Sequence, residues 1–298
     1  MSFADLKKKS QSNLQFLQKE LEKTVSNKQV DERFWKPEVD ASGNGYAVIR
    51  FLPAPDGETV PWAKVYSHAF QGPGGWYIEN SLTTIGDKDP VGEVNRRLWN
   101  SGEDADKDTA RKQKRKLSYY SNIYVVKDPK HPENEGKVFL YKYGKKIHDK
   151  ILAAMQPEFQ DETPINVFDL WEGANFKLKI KKVAGFWNYD SSEFDSISAL
   201  SADDTELEAT WKSEHSLEAF TAADQFKSYE DLEKRLNLVL GSAPRPTAPS
   251  VDSEEYEPVA APQSDFRAKM SAPTPVKQEA VVEDDDALSY FASLASDD

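Results

Sequence analysis

Three groups of cationic residues stand beside aromatic ones in this chain, and each has the chemistry to hold a polyanion. Lys177, Lys179 and Lys181 alternate with Phe176, Leu178 and Ile180. In a strand, that period puts ammonium groups on one face and apolar groups on the other. Arg111-Lys112-Gln113-Lys114-Arg115-Lys116 runs into Tyr119-Tyr120, and Lys142, Lys145, Lys146 and Lys150 surround Tyr141 and Tyr143. Cations neutralise phosphates and release counterions, while rings stack on unpaired bases of any sequence, at roughly 1–3 kcal/mol per base. The same residue types also build solvated surface and strand core, so it is the recurrence of the pairing that singles it out. No zinc-finger, bZIP or other groove-reading signature is present, which points away from duplex readout.

Other chemistries are poorly supplied. With no Cys in 298 residues, disulfides, thiolate metal sites, iron–sulfur clusters and cysteine nucleophiles are excluded. His68, His131, His148 and His215 share no short metal-ligand spacing. Asp87, Asp89 and the C-terminal carboxylates are the acids a metal-dependent nuclease could use, although acids in loops are ordinarily just solvated. No apolar stretch suits a membrane span or a signal peptide, so the expectation is a cytoplasmic protein with no membrane partner.

The elements that must position these residues divide the chain. Residues 1–25 carry Lys7-Lys8-Lys9-Ser10 and then Leu14, Leu17, Leu21 and Val25 at helical spacing, a basic arm with one amphipathic helix. Residues 26–241 read as a β-rich α+β core with peripheral helices. Strands are expected over Tyr46–Leu52, Tyr119–Val126, Lys137–Tyr143 and Phe176–Val183, and helices over Lys145–Met155 and Ser228–Leu240, the latter opened by a capping box. Residues 242–278 are a Pro/Ala/Ser linker without the apolar content to pack. Residues 279–298 are acidic, with Leu288, Phe291 and Leu294 at three-residue spacing near Tyr290 and Asp284-Asp285-Asp286, the pattern of a disordered tail that folds against a partner.

Net charge is −13, yet twelve acids against four bases beyond residue 241 leave the preceding residues at only −5. Polyanion binding must therefore come from local clustering.

Gly43-Asn44-Gly45-Tyr46-Ala47-Val48-Ile49-Arg50-Phe51-Leu52-Pro53, Trp76-Tyr77-Ile78-Glu79, Ser121-Asn122-Ile123-Tyr124-Val125-Val126-Lys127-Asp128-Pro129, Tyr143-Gly144-Lys145-Lys146-Ile147 and Trp171-Glu172-Gly173-Ala174-Asn175-Phe176 occur in this order. Together they resemble the single-stranded-DNA-binding (helix-destabilising) protein family of T-even-type bacteriophages, over nearly the whole chain. The resemblance implies an OB-fold core that binds single-stranded DNA cooperatively and without sequence preference in phage replication, recombination and repair, in the cytoplasm of the infected bacterial host. It implies that Lys7-Lys8-Lys9-Ser10 drive head-to-tail self-association. The acidic tail would recruit the replicative polymerase, helicase loader, recombinase and mediator, and compete with DNA for basic surface. Lys114-Arg115-Lys116-Leu117-Ser118 resembles a basic-plus-hydroxyl element of the family, with Leu117 where a hydroxyl residue is expected.

Carried over residue by residue, Arg50, Lys114, Arg115, Tyr119, Tyr141, Phe186 and Tyr189 stand at cationic or ring positions of the family's DNA cleft. Tyr120 stands at a Trp position and Lys142 at an Arg position. Arg111, Lys112, Lys116 and Tyr143 join them as DNA-binding candidates. Family tyrosines fall on Lys88, Glu103 and Ala110 here, with Trp99 and Trp187 as replacement rings. The family's zinc ligands fall on Ser81, Ile85, Val91 and Val94, so no cofactor is expected. The loop Asn80–Leu98 should then be held by mutual packing of Ile85, Val91, Val94 and Leu98. An RNA-binding translational repressor is the alternative reading.

Overall fold

The computed structural model describes residues 31–159 and 161–241, which form two compact units. The arm with Lys7, Lys8, Lys9 and Ser10, the linker, and the tail with Asp284 to Asp286, Leu288, Tyr290, Phe291 and Leu294 lie outside the described residues. The first unit takes the described residues up to Ala63 together with Tyr119–Leu217, and the second takes Lys64–Ser118 together with those from Glu218 on. The first is β-rich with two helices, and the second joins one β-hairpin to three helices, so that the described residues make an α+β arrangement.

In the first unit, β1 (Phe34–Trp35), β2 (Gly45–Phe51), β5 (Lys116–Lys127), β6 (Val138–Tyr143), β7 (Ala174–Val183), β8 (Phe186–Asn188) and β9 (Glu193–Ile197) make one mixed sheet. The order is β1-β6-β5-β2-β7-β8, with β9 also on β7. Only β1 and β6 run parallel; β2 is antiparallel to both β5 and β7. Ala47 to Phe51 are buried without alternation, as expected of a central strand covered on both sides. Phe51 anchors the core, with the rings of Tyr143, Phe168 and Phe176 centred within 6 Å of its own. Helix α3 (Lys145–Met155) buries Ile147, His148 and Ile151, whose spacing lays them along one stripe. Helix α4 (Asp204–Lys212) adds Leu207 to a cluster with Leu52 and Leu170.

The second unit holds the hairpin β3–β4 (Ala63–Gly72 and Gly75–Asn80), α1 (Pro90–Asn100), α2 (Asp104–Gln113) and α5 (Tyr229–Leu240). Ser228 caps α5 by accepting from the Asp231 amide, and Leu232, Leu236 and Val239 bury one face against Phe70, Tyr77, Leu82 and Val91. Each such side chain withdrawn from water contributes about 1.5–3 kcal/mol. A Cβ on Gly74 would stand 1.9 Å from the Leu238 carbonyl oxygen, so this close approach of hairpin to helix requires glycine.

The strands and helices expected within the described residues are present, with ends shifted by a few residues at most, and the amphipathic helix expected over Leu14 to Val25 lies outside the described residues. The segment expected as a loop, Asn80–Leu98, is instead a short 3-10 turn followed by α1. Its start signal is Asp89-Pro90: Asp89 accepts from the amides of Val91 and Gly92, and proline fits the first helical turn.

Candidate nucleic-acid interface

In the first unit the candidates separate into a buried and an exposed set. Arg50 belongs to the core: it is fully buried on β2, and its guanidinium donates to the Ser198 carbonyl oxygen. Nε and Nη1 have no hydrogen-bond acceptor among the described residues. Burial pulls its pKa below the usual guanidinium value, against the opposing pull of Asp169. Tyr119, Tyr141 and Tyr143 are also corrected from cleft to core, each less than 10% exposed. Their rings are spent on one another: Tyr143 stacks at 5.7 Å on Tyr119 and 5.6 Å on Tyr141, and Tyr119 stacks at 3.8 Å on His148. The Tyr143 hydroxyl lies 2.9 Å from Ser121 Oγ, and burial pushes the Tyr141 hydroxyl well above its ordinary pKa.

The more accessible set begins with half-buried Tyr120 and exposed Lys142, direct partners across the β5–β6 ladder, with the Lys142 ammonium 5.4 Å from the ring centroid. It continues at the β7–β8 hairpin, where Phe186 is 48% and Trp187 49% exposed beside exposed Lys181 and Lys182. Ala184 and Gly185 both take positive φ, 51° and 91°, the two-residue turn that lets twisted strands reverse. Tyr189, just beyond, is half-buried, and burial raises its pKa. Tyr46, 43% exposed, faces Lys179 across the β2–β7 ladder, an exposed ring that the sequence reading did not single out.

The alternation along β7 holds, with Phe176, Leu178 and Ile180 inward. Its cations are nevertheless not free: Lys177 pairs with Asp195 at 2.8 Å and Lys179 with Glu193 at 2.7 Å. Each ammonium hydrogen-bonds its partner and holds that carboxylate below its ordinary pKa. Among the described residues, Lys142, Lys181 and Lys182 have no such ion pair.

In the second unit the basic run is split by its secondary structure. Arg111 and Lys112 close α2, where cations favour the helix C-terminus, Lys114 and Arg115 form the connection, and Lys116 opens β5. The Arg111 guanidinium lies 5.4 Å from the Trp99 ring and pairs with Asp108 at 2.6 Å. Arg115 lies 4.0 Å from the Tyr66 ring and donates to Thr83 Oγ1 at 2.9 Å, and Lys64 approaches the same ring at 5.1 Å. Tyr66 between two cations escaped the sequence reading. Its signal was the Lys64–Tyr66 spacing, two residues apart and so on one strand face.

The positions where the resemblance puts zinc ligands do not fit a metal. Val91 and Val94 have no lone pairs and join the apolar cluster under α5. Ile85, expected to pack with them, is 36% exposed. Ser81 Oγ donates to Asp89 Oδ2 at 2.9 Å, and Asp89 also accepts from the Leu82 amide at 3.1 Å and approaches His68 Nε2 at 3.3 Å. Burial pushes the Asp89 pKa up, but the hydrogen bonds and charge of His68, with Ser81 and the Gly92 amide, hold it below the usual carboxylate value. A carboxylate so engaged and 3% exposed also removes the footing for an Asp87–Asp89 nuclease.

A family model described as "gp32 DNA binding protein like" matches residues 43–240. The chain belongs to this gp32-like DNA-binding protein family. Among its relatives are the single-stranded DNA-binding proteins of Enterobacteria phages T2 and T4. Each is 42% identical over 233 residues, spanning 77% of this chain and 77% of the relative. The single-stranded DNA-binding protein of Escherichia phage SV14 is 49% identical over 59 residues, 20% of this chain and 52% of that protein. The gp32-like match covers both compact units. Among the described residues of this gp32-like chain, no helix is long and apolar enough to cross a membrane.

Proposed function

We propose that this gp32-like chain binds single-stranded DNA without sequence preference and coats it cooperatively, as a non-catalytic binder in phage replication, recombination and repair. The observation that carries this reading is the repeated pairing of a ring that is exposed or only half-buried with a cation: exposed Phe186 and Trp187 beside Lys181 and Lys182, half-buried Tyr120 with Lys142, and half-buried Tyr66 with Arg115 and Lys64. Rings that stack on any base beside cations that meet phosphate give affinity without base readout. Membership of the family and the names of the T2 and T4 relatives support the ligand.

In this reading the first unit is the OB-fold and residues 26–241 are the binding core. Arm residues 1–25, with Lys7 to Ser10, carry self-association, and residues 242–278 link the core to tail residues 279–298. The tail recruits the polymerase, helicase loader, recombinase and mediator in the host cytoplasm. The core needs no zinc, because Asp89 and the Val91–Val94 packing hold the segment that a metal would otherwise close.

Fluorescence titration with poly(dT), matched RNA and duplex DNA across salt concentrations tests the ligand. The expected result is quenching of ring fluorescence, tightest for single-stranded DNA, with log affinity falling linearly with log salt. Preference for duplex would reject the reading, and preference for RNA would put a translational repressor in its place.

A further inference from the structure

Two apolar hollows share the Trp171 indole in the first unit. One, about 380 Å³, is lined by Pro53, Leu170, Leu207 and Trp211, with Asp204 and Glu208 beside them. The other, about 370 Å³, extends past Pro53 and Leu170 to Val60, Trp62 and Phe168. Trp171 is 56% exposed, yet its Nε1 donates to Asp204 Oδ1 at 3.1 Å, and Trp211 Nε1 donates to the Ala54 carbonyl at 3.0 Å. With the polar edges occupied, the ring faces are left for an apolar partner. No Lys or Arg lines either hollow. The segments that carry the rim, residues 169–172 and 203–212, hold six acids against one base, Lys212, which pairs with Glu208. The groove therefore disfavours phosphate and suits a partner that is apolar and cationic together.

The β7–β8 hairpin of the same unit has that chemistry. Val183, Phe186 and Trp187 are exposed at its tip, and residues 181–188 hold Lys181 and Lys182 with no acid. Val183 faces Phe186 across the ladder and Lys182 faces Trp187. Neighbouring strand residues point to opposite faces, so the hairpin presents one ring on each side, and the groove has two hollows. A hairpin does not reach the groove of its own chain. Trp171 lies three residues before β7, and the Ala184-Gly185 turn follows it. The ten residues of β7, at about 3.3 Å each, put about 30 Å of strand between them. Hairpin and groove thus stand at opposite ends of one element, and a second copy must supply the hairpin. Because the two surfaces differ, the contact is heterologous and leaves a hairpin and a groove open to further copies.

We propose that the β7–β8 hairpin of one copy seats in the Trp171 groove of the next, with Phe186 and Trp187 against the indoles and Lys181 and Lys182 toward Asp204 and Glu208, and that single-stranded DNA releases it. The contact stands on the shape and charge of the two surfaces. Release rests on the DNA-binding reading, because the hairpin cannot give the same rings and cations to bases and to a groove at once. A copy without DNA is then linked to its neighbour through the hairpin, and DNA exchanges that contact for stacking.

Because the chain has no Cys, two introduced thiols report the contact in the full-length protein. Thr59 lines the groove and is exposed, and Ala184 is exposed at the hairpin turn. A chain carrying Thr59→Cys, mixed with one carrying Ala184→Cys under mild oxidation at low salt, should give a disulfide-linked heterodimer in excess of either homodimer, and oligo(dT) should suppress it. Adding Trp171→Ala to the Thr59→Cys chain should slow its formation about tenfold, as loss of a central aromatic anchor does. Glu208→Lys in the same chain should slow it as well, and Lys182→Glu in the Ala184→Cys chain should restore the rate. That rescue reads the charge pairing even if Trp171→Ala does not fold. No excess heterodimer, a rate indifferent to Glu208→Lys, or a monomeric disulfide in a chain carrying both cysteines would each overturn the contact. A heterodimer that persists with oligo(dT) bound would overturn release. Oligo(dT) binding by the unaltered chain is measured in parallel. Its absence marks failure of the DNA-binding reading, and its presence without the heterodimer marks failure of the groove contact alone.

Discussion

Phe186 and Trp187 are about half exposed at the tip of the β7–β8 hairpin, and Tyr141 and Tyr143, with the same residue chemistry, are sealed in the core. The difference is in what each ring already touches, and it separates the expected effects of substitution. Phe186→Ala and Trp187→Ala should each weaken oligo(dT) binding by roughly 1–3 kcal/mol, read by fluorescence anisotropy, with thermal stability little changed. Tyr141→Ala should instead lower the melting temperature, because truncating a buried ring costs about 3–5 kcal/mol. A second residue-level prediction concerns Glu214, whose carboxylate oxygens are buried with no hydrogen-bond donor among the described residues. Burial, and then the nearby Glu58 carboxylate, push its pKa from an ordinary 4.5 up to about 8. Between those values the folded chain holds a proton that the unfolded chain has released, so stability falls as pH rises through that window and levels off above it. Glu214→Gln should therefore show a smaller fall in melting temperature between pH 6 and pH 8.5 than the unaltered chain, measured by scanning fluorimetry.

Among the elements, α1 depends most on a single side chain. Asp89 caps the helix, fixes the Leu82 amide and holds Ser81. Asp89→Ala removes the cap and leaves buried donors unpaired, which should cost about 2–4 kcal/mol. Added zinc should not restore the loss, and chelator should leave the unaltered protein's melting temperature where it was. The β7–β8 turn offers the opposite case. Ala184 holds a positive φ that costs an alanine about 1–2 kcal/mol and that asparagine tolerates. Ala184→Asn should raise the melting temperature modestly and keep oligo(dT) affinity. The hairpin itself could be anticipated from Val183-Ala184-Gly185-Phe186, but the helical turns after Ile85 could not be separated from a loop until Asp89 was seen facing the α1 amides.

For the molecule as a whole, charge sets the expectation. The residues beyond 241 carry twelve of the 51 acids and only four of the 38 bases. Removing residues 249–298 should tighten oligo(dT) binding at low salt and make little difference at high salt, where screening already weakens the competition. The salt-dependent affinity of the truncated and complete chains checks it. The positions of β2, β5, β6 and β7, the α3 and α5 helices and the alternation on β7 were legible because local patterns of residue type and capping report directly on backbone conformation, whereas β1, β3, β4, β8 and β9 were not anticipated. The families of cations and rings were legible as residue types. What each one faces was not, since a lysine in a strand reads the same whether Asp195 or solvent lies opposite, and a tyrosine reads the same whether it stacks on His148 or stands free. Contacts between residues far apart in the chain made those choices, placing Arg50 against Ser198 and Tyr66 against Arg115, because burial and pairing belong to the packed structure and leave no mark on neighbouring sequence.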